Sequence, residues 1–181
     1  MFNNEPQQLV APVDPARDHI AGPVDAPMQL VEYGDFECPY CALAHPNVAA
    51  VQRELGDRLA FVFRHFPLTS AHPHAGVAAE AAEAAGAQGL FWPMHDRLFE
   101  TRALELPDLL DHARSLRLDV DTFTEDLAEH RHAERIREDL ASGARSGVNG
   151  TPTFFVNGRR HEGDYDARTL LAALSVAPLR R

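Results

Sequence analysis

The sequence predicts an α/β protein in which a mixed four-stranded sheet carries an inserted all-helical domain. Three features support this fold class. An apolar run at 28–33 is followed by a helical pattern and then by a second strand-like run. A long tract of helical patterns separates this unit from the C-terminal part. In that part, Asn157-Gly158 is a strong β-hairpin signal between two further strand-like runs.

The N-terminal elements follow from composition and periodicity. Residues 1–27 are rich in Pro, Asp and Gln and lack periodicity, which predicts a mobile arm. The core domain is predicted to comprise 28–66 and 147–176. Because a strand, a helix and a second strand follow one another, the two strands should be parallel, with a right-handed crossover. The predicted elements are strand Met28–Tyr33, helix Pro39–Leu55 with Pro in its first turn, and strand Leu59–Phe66.

Residues 67–146 are predicted to form the helical insertion, because apolar side chains recur there at helical spacing. Asp121 is expected to cap one short helix. After it, the hairpin should add antiparallel strands to the sheet, and Asp166 should cap the last helix. The expected helices contain Ala75–Gln88, Leu90–Leu98, Leu106–Leu116, Phe123 with Leu127, and Ile136 with Leu140; the expected hairpin strands are Thr153–Val156 and Arg159–Glu162.

Length and charge limit the classes of function. The 181 residues fit one domain, and 17 basic against 27 acidic residues give a net charge of -10. This balance disfavours nucleic acid and anionic membrane surfaces as partners. No stretch approaches the roughly 18 apolar residues of a membrane span. We expect a monomer without a cofactor or bound metal, located in the cytoplasm, or exported if a signal peptide has been removed.

The only two cysteines lie three residues apart, at the junction of the first strand and the first helix. Residues at this spacing share a helix face, with about 5–6 Å between their Cβ atoms, which suits a disulfide. We expect Cys38 at the exposed helix tip, where N–H groups stabilise a thiolate, and Cys41 one turn inside. The helix dipole supplies at most about 2 kcal/mol, so direct hydrogen bonds must provide much of any large pKa drop. Cys38 would then form a mixed disulfide that Cys41 resolves.

Two other interpretations of the pair are considered. The cysteines could be inert buried thiols, or they could be zinc ligands together with a histidine. His45 lies four residues after Cys41, and His72-Pro73-His74 is also near in sequence. The remaining histidines are expected to be scattered surface or capping groups.

Three segments carry a resemblance to a known family. Val31–Cys41 resembles the active-site strand and helix start of DsbA-like proteins of the thioredoxin superfamily, and Gly150–Gly158 resembles their cis-proline loop and hairpin. Leu90–His95 resembles a segment of their inserted helical domain. The resemblance implies a thioredoxin-like core interrupted by helices, in which Pro152 faces the cysteines. It also implies a cis Thr151-Pro152 bond, with the Thr151 backbone free to pair with an extended substrate.

The resemblance also assigns a role to an acidic residue. Glu32 matches the position of a buried acid beneath the cysteines. In that position it would take the proton of Cys41 during resolution. The alternative is a glutamate on a partly wet strand face. Asp35 and Glu37 are expected to be exposed, where their charges would oppose a strong drop in the Cys38 pKa.

A peptide-contact surface is expected beside Cys38. Pro39 and Tyr40 should contact partners, and Phe36, Trp92 and Met94 would line an apolar surface, although Trp92 and Met94 could equally belong to the core. The Pro39-Tyr40 dipeptide is similar to that of glutaredoxins, whereas the most oxidising DsbA proteins carry Pro-His. We therefore expect a milder potential, with reductase or glutathione-linked activity.

The sequence thus predicts an enzyme that exchanges disulfides with protein thiols or glutathione-type small thiols. A redox sensor or binding module without turnover, a structural zinc module and a glutathione-transferase-like isomerase are the alternatives. Cys41 argues against the isomerase, which lacks a second cysteine.

Overall fold

The computed structural model describes residues 7–176, and its elements follow the predicted order. Most predicted boundaries hold within one or two residues. In chain order the elements are β1 His19–Ala21, β2 Met28–Gly34, α1 Pro39–Leu55, β3 Leu59–His65, α2 Ala75–Ala87, α3 Phe91–Thr101, α4 Leu106–Ser115, α5 Val120–Ala128, α6 Ala133–Arg145, β4 Thr153–Val156, β5 Arg159–Arg160 and α7 Ala167–Val176.

The sheet has five strands, in the order β1-β3-β2-β4-β5, rather than the predicted four. Strand β2 is central: it pairs in parallel with β3 and antiparallel with β4. Because both neighbours and both faces cover it, β2 is buried from Gln29 to Gly34. The active-site segment that follows β2 therefore starts from the most constrained strand of the sheet.

The extra strand corrects the prediction for residues 1–27. Within the described part of that arm, His19–Ala21 pair antiparallel with the outer edge of β3. Asp18 is buried and forms an ion pair with Arg64 of β3 at 2.9 Å. A three-residue strand is too short to show a periodicity, so the sequence pattern did not reveal it. The first six residues lie outside the described part.

The two faces of the sheet carry different layers, because successive strand side chains point to opposite sides. Val31 and Tyr33 face a smaller cluster, which Leu140 of α6 also contacts. Leu30 belongs to the larger cluster, together with Cys41 of α1. Glu32, two residues after Leu30 on β2, therefore shares the face that carries α1.

The larger cluster continues from the core domain into the insertion. Its members include Leu30 of β2, Ala81 of α2, Leu98 of α3 and Phe123 of α5. The insertion is thus packed onto the sheet layer and shares its hydrophobic core. None of the helices among residues 7–176 has both the length and the apolar character needed to cross a membrane.

One helix cap also differs from the prediction. Asp119 rather than Asp121 begins α5, and its carboxylate accepts the N–H of Thr122 at 3.1 Å. Asp121 lies in the first turn instead, where its charge suits the helix dipole. The predicted Asp166 cap is present, since this carboxylate accepts the N–H of Thr169 at 3.1 Å.

Candidate active site

The cysteine pair lies where β2 ends and α1 begins. Cys38 is the N-cap of α1, and its N–H donates to the carbonyl of Asp35 at 3.2 Å. Pro39 occupies the first turn, where no intrahelical N–H is required. Tyr40 is 59% exposed, as expected for a residue that contacts partners. Both cysteines are free thiols, so the structure represents the reduced site.

Cys38 is only 3% exposed, which corrects the expectation of an open helix tip. The neighbouring loop covers it, and in the thiol form its Sγ donates to the carbonyl of Thr151 at 3.3 Å. Hydrogen bonds from the Cys41 thiol and then from the Thr151 side chain, helped by the N–H groups of Cys41 and Tyr40, lower the pKa of Cys38 to about 5 against the effect of burial. The first cysteine is therefore a thiolate near neutral pH, the form that attacks disulfides.

The pKa of Cys41 is shifted in the opposite direction. Its side chain is fully buried, and burial raises its pKa well above the ordinary value. The hydrogen bond that it donates to Cys38 and the charge of Glu32 act in the same direction. The N–H of Asp35, 3.5 Å from the Cys41 sulfur, only partly opposes them. Cys41 therefore stays protonated and needs a base before it can attack.

Glu32 lies beneath the pair and is only 3% exposed. Burial, followed by the charge of Cys38, raises its pKa to about 8. Its carboxyl therefore gains or loses a proton near neutral pH, which suits a general acid or base. The alternative prediction, a glutamate on a partly solvent-exposed strand face, is wrong.

The loop before β4 completes the site. The Thr151-Pro152 peptide bond is cis. The contact between Cys38 and the Thr151 carbonyl brings the loop to the sulfur, although 113 positions separate the two residues. Both loop residues are half-buried.

Two acidic residues behave differently from expectation. Asp35 is 2% exposed, and its carboxylate accepts the N–H groups of Glu37 and Leu68, each at 2.8 Å. It also binds Nδ1 of His72 at 2.7 Å. Glu37 is half-buried and binds Nδ1 of His74 at 3.0 Å.

These pairs favour the protonated form of both histidines next to the active-site segment. The hydrogen bond to Asp35 raises the pKa of His72, and the charge of Cys38 adds to this effect. The His72-Pro73-His74 spacing was a signal for this loop, but its acidic partners could not be identified from sequence alone. The paired acids oppose the Cys38 thiolate less than unpaired ones would.

Two predicted peptide-contact residues lie elsewhere. Phe36 is 1% exposed and packs against Phe63 and Phe99, so it belongs to the core. Trp92 is half-buried and packs against Phe61 and Phe91. From sequence alone, an aromatic residue next to a motif can be assigned to the core or to the surface. Here the packing of α3 on the sheet places Phe36 and Trp92 in the core. Met94 is fully buried.

The histidines also require a correction. His65, His95 and His112 are buried rather than superficial. His45 stacks on Phe99 of α3, and its Nε2 lies 3.9 Å from Asp96, so its contacts lead away from the cysteines. The zinc alternative that combined His45 with both cysteines finds no support in this arrangement.

Comparison with known proteins agrees with this fold. A family model described as thioredoxin matches residues 15–175. A thioredoxin-like oxidoreductase of Silicibacter pomeroyi DSS-3 has a TM-score of 0.79 and 26% identity, over 90% of this chain and 92% of that one. BdbD of Bacillus subtilis has a TM-score of 0.80 and 23% identity, over 94% and 96%. These likenesses confirm the thioredoxin-like core with a helical insertion.

Curated relatives carry a different name. Na(+)/H(+) antiporter NhaA 1 of Salinispora arenicola is 54% identical over 170 residues, which are 93% of this chain but 26% of that protein. NhaA of Herminiimonas arsenicoxydans is 49% identical over 173 residues, 95% of this chain and 27% of that protein. The chain thus spans about a quarter of the length of the curated relatives it matches.

Proposed function

The chain belongs to the thioredoxin family, and on that premise we propose that it is a protein-disulfide oxidoreductase of the DsbA-like type. Its fold supports a redox function in general. The observation that carries the specific proposal is the contrast between two neighbouring thiols, because the pKa is lowered to about 5 at Cys38 and raised well above its ordinary value at Cys41. One thiol is ready to attack, and the other is held back until a base acts on it.

The first step is attack on a partner disulfide. The Cys38 thiolate forms a bond to one sulfur of that disulfide, the partner's sulfur–sulfur bond breaks, and its second sulfur leaves as a thiolate. Since Cys41 and backbone N–H groups already stabilise the thiolate, no separate base is required. The product is a mixed disulfide between Cys38 and the partner.

The second step resolves the mixed disulfide. Glu32 takes the proton of Cys41, whose sulfur then attacks Cys38 and releases the remaining partner sulfur as a thiolate. The Cys38–Cys41 pair is thereby oxidised by two electrons, and the partner disulfide is reduced to two thiols. Because the steps are reversible, the same groups would oxidise a dithiol partner.

The partner class follows from the surface around Cys38. Tyr40 and Leu43 are 59% and 61% exposed on the first turns of α1 and offer apolar contact. The backbone of Thr151 provides hydrogen-bonding groups for an extended chain. We therefore propose protein thiols and disulfides in extended segments as partners, and small thiols of the glutathione type as a second class.

Turnover with an insulin-type disulfide tests the proposal. The wild-type protein should catalyse repeated reduction when a dithiol regenerates it. Cys38→Ser should abolish exchange, whereas Cys41→Ser should accumulate a mixed disulfide visible by mass spectrometry. Stoichiometric oxidation without turnover would instead support a redox sensor, and unchanged turnover in either variant would refute the assigned roles.

The curated relatives are named as Na(+)/H(+) antiporters. The chain matches about a quarter of their length, and ion transport is not a chemistry that the cysteine site explains. The Pro39-Tyr40 dipeptide supports a moderate reduction potential, which equilibration with glutathione would measure.

A further inference from the structure

A cavity of about 280 Å³ lies behind the cysteine pair, between α1 and α3 and above β2 and β3. The buried Glu32 lines it, together with the polar residues His45, Gln52, His95, Asp96 and Glu100. A space of this size and polarity holds several water molecules. It therefore joins the buried carboxyl of the active site to groups at the protein surface.

Two buried polar atoms along this cavity have no hydrogen-bond partner within the described residues. They are Oε1 of Glu32 and Nε2 of His95, whose residues are each only 3% exposed. Buried polar atoms are nearly always hydrogen-bonded to protein or water. Water in the cavity would satisfy both atoms and would link them to each other.

The path continues from His95 to solvent. Nδ1 of His95 lies 2.9 Å from Oδ1 of Asp96, whose side chain is 53% exposed. Nε2 of His45 lies 3.9 Å from the same oxygen. The imidazole of His95 thus spans the distance between the enclosed end of the cavity and an exposed carboxylate.

We propose that this cavity is the route by which protons pass between Glu32 and solvent, with His95 and Asp96 as relay residues. The inference rests on the proposed disulfide exchange, in which Glu32 receives the Cys41 proton at each resolution step. Because Glu32 is only 3% exposed, it has no direct access to bulk water. A proton route to solvent is therefore required before Glu32 can return to its carboxylate form.

The proton balance of the route is simple. Protonated Glu32 gives its proton to water in the cavity, and that water gives one to Nε2 of His95. Nδ1 of the same ring releases its proton to Asp96, which passes it to bulk water. The ring, Asp96 and the water end with their initial charges, Glu32 is again a carboxylate, and the ring regains its first tautomer by exchange with water.

The relay is consistent with the titration behaviour of its members. Burial lowers the pKa of His95 to about 4, so the ring is neutral and able to accept a proton at neutral pH. Since the pKa of Glu32 is about 8, the imidazolium would form in only about one in 10⁴ encounters. The imidazolium form of His95 is therefore a short-lived intermediate of proton transfer and is not appreciably populated.

Other titratable groups face this region from each element packed around it, and a test should leave these residues unchanged. They are Cys38, Cys41 and His45 from α1, Asp96 and Glu100 from α3, His65 from β3, and Glu83 of α2 through its 2.8 Å contact with His65.

Asp96→Asn tests the route at its exposed end, where the fold is least at risk. The matched control is Asp111→Asn, which removes an exposed carboxylate of α4 that pairs with Arg114. Reduced protein is mixed with a small aromatic disulfide, quenched with acid and analysed by mass spectrometry. This separates formation of the mixed disulfide from its resolution.

In Asp96→Asn, resolution should slow about tenfold at pH 7, less than the roughly 10²–10⁴-fold contributed by a group that acts directly on the reacting atoms, because Asp96 acts through the relay. Formation of the mixed disulfide should be unchanged, and the control should match the wild-type protein. High concentrations of imidazole buffer should restore the rate, because a mobile carrier replaces the missing relay. A merely structural loss would not be rescued in this way.

Three outcomes would overturn the route: an unchanged resolution rate, a slow rate without buffer rescue, or an equal further slowing when Asp96→Asn is added to Glu32→Gln. The last outcome would show that Asp96 acts independently of Glu32. Failure of the wild-type protein to form a mixed disulfide would refute the proposed exchange itself, a result distinct from the other three.

Discussion

The two active-site thiols have the same chemistry but opposite pKa shifts: burial is the main cause at Cys41, the hydrogen bond between the thiols is the main cause at Cys38, and this bond acts in opposite directions on the two groups. Cys38 accepts it at the helix start, which stabilises its thiolate. Cys41 donates it from a fully buried position, which stabilises its thiol. Burial opposes ionisation of both groups, so this direction-dependent contact separates the attacking sulfur from the resolving one.

Replacing Cys41 by Ala or by Ser tests this explanation. Cys41→Ala removes the donor and should raise the alkylation midpoint of Cys38 from about pH 5 by about one to two units. Cys41→Ser retains an O–H donor and should shift it less. The measurement is the pH dependence of iodoacetamide labelling of the reduced protein. Equal midpoints in the two variants would show that the donor is not the cause.

The raised pKa of Glu32 gives a contribution to stability that falls as the pH rises. Its pKa is raised from 4.5 to about 8 by burial and by Cys38. The folded state therefore binds this proton more tightly than the unfolded chain does. Between about pH 4.5 and pH 8 the contribution of Glu32 to the free energy of unfolding should decrease, by up to about 5 kcal/mol for the full shift, whereas the lowered pKa of Cys38 adds stability with rising pH over much of the same range.

Glu32→Gln should remove the Glu32 contribution, so that the free energy of unfolding of the reduced protein rises more steeply between pH 5 and pH 8 than in the wild type, and the variant should be more stable than wild type at pH 8. Urea denaturation at pH 5 and pH 8 measures both effects. A slope that persists unchanged in the variant would contradict the assignment of the titration to Glu32.

Individual elements are held together by a few buried polar contacts. Glu83 on the alanine-rich helix α2 binds Nε2 of His19 from β1 at 3.0 Å and Nε2 of His65 from β3 at 2.8 Å. One carboxylate thus connects a helix with an edge strand and its neighbour. Burial alone would raise the pKa of Glu83, but the hydrogen bonds from His19 and His65 lower it strongly.

A lowered pKa means that this contact stabilises the fold above the unfolded value of 4.5 and is lost as the pH falls below it. Glu83→Gln should cost about 3 kcal/mol at pH 7, because it removes a buried charge from two partners. Thermal unfolding measures the loss, which should shrink at acidic pH. Glu80→Gln, on the same helix, is the control, since Glu80 pairs only with the exposed His130.

Across the protein, one hydrophobic cluster extends through the core domain and the insertion, and the N-terminal segment is fastened to its sheet. Arg64 of β3 is fully buried, and its guanidinium donates to both carboxylate oxygens of Asp18 at 2.9 Å. It also donates to the carbonyls of Ala11 and Pro12 at 2.9 and 3.1 Å. One side chain therefore fixes the path of the segment before β1.

Asp18→Asn should destabilise the protein by about 3–5 kcal/mol, because it leaves the buried Arg64 without its counter-charge. Limited proteolysis should then cut the segment before β1 faster. Replacing Arg64 by Met in the same variant should recover part of the loss. Asp25→Asn, an exposed change in the same part of the chain, should stay within about 0.5 kcal/mol. A similar loss from Asp18→Asn and Asp25→Asn would refute this role of the ion pair.

Much of the fold and of the cysteine site could be predicted from short stretches of sequence. The β2–α1 junction, both ends of α1 and the hairpin after Pro152 follow from apolar periodicity and from the backbone preferences of Pro, Asn and Gly. The cysteine motif followed in the same way, because its spacing places both sulfurs on one helical turn. Such signals arise from residues that are neighbours along the chain.

Only the tertiary structure decided which distant groups meet. It paired β1 with β3, placed Phe36 in the core, buried Asp35 against His72, and opened the cavity that connects Glu32 with His95 and Asp96. The physical reason is that burial and charge pairing depend on how helices pack on the sheet. A local pattern fixes which face of a helix is apolar, but it does not contain the identity of the surface that the face will meet.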